Sequence, residues 1–104
     1  MDKPNEPLKE KIVTAIVDIF VDTTKLEEVS QALCQLDAVK EVYEVTGEFD
    51  ITTIVSVKNI EEFRDILKNK IMKIPGIKSV VSSIVLNAAK GSRTDSSQLQ
   101  SRQR

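Results

Sequence analysis

Few residues in this chain could do chemistry. Among 104 residues there is no histidine, no tryptophan and one cysteine, Cys34. Without imidazole there is no histidine base, no histidine metal ligand and no histidine-centred triad. One thiol makes neither an internal disulfide nor a zinc site of several thiolates. The paired acids Glu27-Glu28 and Glu61-Glu62 fall at helix starts, where the dipole favours negative charge. They read as helix-start residues and not as a general acid and base.

The richest candidate is the run Thr46-Gly47-Glu48-Phe49-Asp50. A glycine here lets backbone amides approach a ligand closely. Turn amides can hold a carboxylate, and Asp50 can hold an α-ammonium, which together would capture an amino acid. The plainer reading is a turn, with Gly47 at positive φ and Asp50 bonded to nearby backbone. Ser82 and Ser83 are candidates for the same pocket. Tyr43, the one tyrosine, suits either a subunit contact or its own sheet face. Cys34 reads as a small half-buried thiol beside a helix stripe.

Elements must position these residues. Residues 1–11, MDKPNEPLKEK, are polar with two prolines and read as a flexible N-terminal segment. No signal peptide and no membrane-length apolar run is present, so a cytoplasmic protein is expected. Residues 12–21, IVTAIVDIFV, have strand composition, with both faces largely apolar. Thr24 to Glu27 has capping-box spacing, and Leu26, Val29, Leu33 and Leu36 form a helical stripe. Val39–Thr46 and Asp50–Val57 read as a hairpin around Gly47. Asn59 caps a second helix with Glu62 three residues on, its stripe being Ile60, Phe63, Leu67, Ile71 and Ile74. Pro75-Gly76 stops that helix, and Ile77–Asn87 reads as a fourth strand. Residues 91–104 are polar apart from Leu99 and read as a disordered tail. Its arginines, Arg93, Arg102 and Arg104, read as solvated.

The order βαββαβ implies an α+β, ferredoxin-like fold: a four-stranded antiparallel sheet with two helices on one face. The other face has no cover within the chain. The first and last strands carry large apolar residues on both faces, and each one left exposed forgoes about 1.5–3 kcal/mol. A contiguous patch marks an interaction surface, so a homodimer with sheets face to face is expected. The net charge of −1 supplies no overall basic field for nucleic acid.

Two segments carry a family resemblance. Val39–Asp50, VKEVYEVTGEFD, resembles the Lrp/AsnC effector-domain pattern V-x-x-x-Y-x-V-T-G-x-[YF]-D. Ile74–Leu86, IPGIKSVVSSIVL, resembles that family's I-P-G-V-x-x-T-x-T-x-x-V-L. The resemblance covers residues 12–90 and implies an effector-binding and oligomerisation domain, also called the RAM domain. It implies a dimeric α/β barrel, assembly of dimers into octamers, and an amino acid or similar small effector near the T-G-x-x-D loop. The implied effector residues are Thr46, Gly47, Glu48, Phe49, Asp50 and Ser82. No cofactor, metal, membrane or enzyme activity is implied. Val80 stands where the family often has threonine, so a ligand group bonded to that hydroxyl would lose its partner.

Full-length members add a helix-turn-helix. The 11 residues before the first strand are too few for one. The expectation is therefore a stand-alone effector domain that binds no DNA directly and joins full-length Lrp/AsnC regulators. Two alternatives exist. A small monooxygenase- or isomerase-like barrel enzyme would lean on Asp18, the one acid inside the first strand. An ACT-like amino-acid sensor would usually have a glycine in the first strand–helix loop, which here is Asp22-Thr23-Thr24.

Overall fold

The computed structural model describes residues 12–91. The expectations for residues 1–11 and 92–104, including Arg93, Arg102 and Arg104, concern residues outside those described. The elements are β1 (Val13–Val21), α1 (Leu26–Cys34), β2 (Val39–Glu44), β3 (Ile51–Val57), α2 (Ile60–Ile66) and β4 (Ile77–Ile84). The sheet order is β2-β3-β1-β4, with every neighbouring pair antiparallel. This is the ferredoxin-like α+β fold expected from the element order.

β1 holds the sheet together because it pairs on both edges. Asp18 lies opposite Thr52 on β3 and Val81 on β4, and Ile16 lies opposite Ile54 and Ser83. Side chains alternate along a strand. Ala15, Val17 and Ile19 are therefore fully buried under the helices, with Ile51 and Val55 of β3 beside them. From the helices, Val29, Leu33, Phe63 and Ile71 close the same core. Thr53 is buried among them, and its hydroxyl donates to the Val17 carbonyl at 3.1 Å. That bond meets the requirement of a polar group removed from water.

The helix ends differ from the sequence reading. Asp22, not Thr24, caps the first helical stretch. Its carboxylate accepts from the Thr24 amide at 3.0 Å and from the Thr24 hydroxyl at 2.9 Å. A single 3₁₀ turn, Thr23–Lys25, then leads into α1. Asp22 wins because its side chain reaches amides two residues ahead as soon as the strand ends. The Asn59 cap is as expected: Asn59 Oδ1 accepts from the Glu62 amide at 2.7 Å, and Glu62 accepts from the Lys58 amide at 3.0 Å.

α2 does not run on to Ile74. It ends at Ile66 and widens into a π turn, Leu67–Ile71, in which the Met72 amide donates to the Leu67 carbonyl at 2.9 Å. Ile71 is wholly buried there, whereas Ile60, at the helix mouth, is 43% exposed and not part of the packed stripe. Next comes Gly76, with φ +105° and its carbonyl accepting from the Asp22 amide at 2.8 Å. A Cβ at Gly76 would sit 2.7 Å from Lys25 Cβ, so only glycine lets β4 start this close to α1.

Candidate functional site

The Thr46–Asp50 loop joins β2 to β3 and is anchored at its far end. The Asp50 amide donates to the Ile19 carbonyl at 3.0 Å, and the Asp50 carbonyl accepts from the Val45 amide at 3.0 Å. Asp50 Oδ2 accepts from the Val21 amide at 2.8 Å, tying the loop to the end of β1. The Phe49 ring packs on Phe20, with centroids 4.7 Å apart and planes at 44°. Thr46, Gly47 and Glu48 are exposed. Among the described residues no hydrogen bond ties the amides of Gly47 and Glu48.

The result is a rigid base with an open tip. Gly47 has φ +134°, but a Cβ there would meet nothing within 4 Å. Its glycine requirement is one of backbone conformation, not crowding. Free amides at such a tip suit a carboxylate. Asp50 has one carboxylate oxygen committed to backbone, so only the other is available to a cationic group. The two sequence readings of Asp50, turn tie and ligand holder, thus fall on different oxygens of one side chain.

The serines do not behave as one pair. Ser82 lies opposite Val17 and Ser83 opposite Ile16, on opposite faces of β4. They cannot line one pocket on one face. Ser82 is exposed on the helix side of this edge strand. It sits four positions along β1 from Val21, roughly 13 Å of strand. One chain therefore does not bring Ser82 to the loop. At the loop end of β1, the β4 residues opposite Phe20 and Val21 are Ser79 and Ile77. Val80 lies opposite Ile19 and packs against the core.

The remaining candidates are placed plainly. Tyr43 is 50% exposed on the open sheet face, and its hydroxyl donates to Glu41 at 2.7 Å. Asp18 lies half-buried on the same face and accepts from the Thr52 hydroxyl at 2.7 Å. Cys34 is exposed at the end of α1, not half-buried as expected. The stripe beside it turns Leu33 inward and leaves Cys34 outside. Glu27, Glu28, Glu61 and Glu62 occupy first helical turns. No group of acids, thiols or histidines that could hold a metal occurs among the described residues.

Sequence reasoning missed Asp22. The Thr24 amide and then the Thr24 hydroxyl hold its carboxyl below the ordinary 3.8, with Lys78 and Lys25 adding attraction. The signal was present: an aspartate just past a strand, two residues before a threonine.

A four-stranded antiparallel sheet backed by two helices, with an anchored glycine loop between its second and third strands, defines a small ferredoxin-like α+β domain. Residues 14–95 match the Lrp/AsnC ligand binding domain, and the chain belongs to that family. It is 38% identical over 72 residues to the HTH-type transcriptional regulator LrpA of Pyrococcus abyssi, covering 67% of this chain and 51% of LrpA. It is 32% identical over 78 residues to the regulator Ptr1 of Methanocaldococcus jannaschii, covering 75% and 53%. The chain thus spans about half the length of the curated relatives it matches.

Among solved structures, E. coli AsnC superposes with a TM-score of 0.76 at 27% identity, over 88% of this chain and 62% of AsnC. A protein from Thermus thermophilus superposes with a TM-score of 0.72 at 28% identity, over 76% of this chain and 99% of that one. A Neisseria meningitidis regulator in complex with L-Met has a TM-score of 0.74 at 16% identity, which shows the fold alone. The family is a regulatory ligand-binding domain and its named relatives are transcriptional regulators. The role is therefore regulatory and not catalytic, and the enzyme and ACT-like alternatives fall away.

Proposed function

We propose that this domain senses an amino acid or similar small effector in transcription regulation and does so as an oligomer. The observation that carries the reading is the Asp50-anchored loop with open Gly47 and Glu48 amides, in a chain of the Lrp/AsnC ligand-binding family. Thr46 to Asp50 form one wall of the effector site. Ser82 reaches it only from a neighbouring copy, so the site is complete only in an assembly.

The assembly begins with a homodimer. The open sheet face carries Ile16, Phe20, Ile54, Tyr43 and Val81, and a second copy is the natural cover. Four such dimers make an octamer. Both helices of the described residues give their apolar faces to the sheet core, which supports a domain that leaves DNA reading to other chains. It acts by joining full-length Lrp/AsnC regulators, in the cytoplasm. Among the described residues no helix is long and apolar enough to cross a membrane.

A thermal-shift screen against the amino acids, methionine included, tests the sensing role. At least one should raise the melting temperature at millimolar concentration, since a ligand selective for the folded state must stabilise it. No shift from any of them would overturn the effector reading.

A further inference from the structure

At the end of the sheet away from the loop lies an open cavity of about 530 Å³. Small-molecule sites typically span roughly 300–1,000 Å³. Its apolar lining comes from Ile12 before β1, Val57 at the end of β3, Leu36 and Ala38 between α1 and β2, and Ile66 on α2. Lys40, Lys58 and Lys70 line it as well. Lys40 Nζ is committed to the Asp37 carbonyl at 2.9 Å. The Lys58 and Lys70 ammonium groups have no hydrogen bond or ion pair among the described residues.

The acids nearby do not cancel these cations. The lining has Lys40, Lys58 and Lys70 against Asp37 and Glu62, and Glu62 is turned to the Lys58 amide by a 3.0 Å bond, so one positive charge is left over. The π turn matters here too. Within it Ile71 is buried in the core, while Lys70 lines the cavity with Ile66 and Glu62 at four-residue spacing. An apolar floor with two unpartnered cations at its edge is complementary to an apolar body ending in one anion.

We propose that this cavity binds a small aliphatic carboxylate, its chain on Ile12, Leu36, Val57 and Ile66 and its anion between Lys58 and Lys70. The inference stands apart from the effector reading, because Asp50 lies at the other end of β1, roughly 25 Å of strand away. An α-ammonium on the ligand works against binding. It brings a positive charge to a lining that already has three lysines against two acids.

Amide NMR titration of the full chain tests this, with 4-methylpentanoate, leucine and 4-methylpentan-1-ol as the probes. The carboxylate should give saturable shifts at Ala38, Ser56 and Lys58, with the alcohol and leucine about tenfold weaker. The double variant K58Q/K70Q, altered only at exposed side chains, should keep a dispersed spectrum and lose those shifts. Four results overturn the proposal: no saturable shift at these residues, shifts confined to residues 46–50, equal binding of the alcohol or leucine, or unchanged binding by K58Q/K70Q. A negative result here leaves the amino-acid screen unaffected, so the two readings fail separately.

Discussion

Asp22 and Asp50 each spend a carboxylate on backbone amides beside the end of β1, and they differ in what their charge is free to do. Asp22 is committed to Thr24 through both amide and hydroxyl. Its carboxyl is held below 3.8, so folding favours the ionised form. The resulting stability is present in full above the unfolded value and is lost as pH falls through the lowered folded value. Asp22→Ala should lower the melting temperature at neutral pH by a few degrees. Asp22→Asn, which keeps an acceptor, should lower it less. Thermal melts repeated from pH 7 down to about pH 2.5 should show the gap between wild type and Asp22→Ala closing at the acid end. A gap that persists there would mean the charge of Asp22 contributes nothing. None of this needed a burial argument; the aspartate–x–threonine spacing suffices once Asp22 is seen to follow a strand.

At the scale of elements, the two described glycines at turns separate two kinds of constraint. Gly47 is at φ +134° in open space, while Gly76 is at φ +105° with Lys25 Cβ 2.7 Å from a would-be Cβ. Gly47→Ala should cost the backbone strain alone, about 1 kcal/mol. Gly76→Ala adds a clash between β4's start and α1, and should cost about 2–3 kcal/mol. Urea unfolding of both variants measures the difference, and equal costs would show that α1 shifts freely. The strand and helix order was legible from period and capping. The early end of α2 was not. The stripe Phe63, Leu67, Ile71 satisfies an α-helix on paper, yet the Met72 amide bonds the Leu67 carbonyl in a wider turn.

At the scale of the whole molecule, the described residues cover one sheet face with helices and leave the other open. The open face is mixed. Across it run the rows Ile54, Ile16, Ser83 and Thr52, Asp18, Val81, so the proposed association surface has a polar centre. In the proposed dimer, Val81→Lys should give a monomer with unchanged circular dichroism. Val81 is 49% exposed in the single chain, so a lysine there costs the fold little. Light scattering after gel filtration measures the mass. A dimer that survives Val81→Lys would move the interface off this face.

By itself, the sequence determined the order of elements, the antiparallel sheet with helices on one face, the glycine loop and the family. Each of those rests on local signals: side-chain period, caps, turn residues and short motifs read along the chain. Tertiary structure decided where candidates meet. It put Ser82 and Ser83 on opposite faces, kept Ser82 away from the loop, and split Asp50 between a backbone tie and an open oxygen. It also gathered Lys58, Lys70 and an apolar floor from five separate segments into one cavity. Such meetings depend on strand register and on packing between residues far apart in the chain, and nothing local in the sequence specifies either.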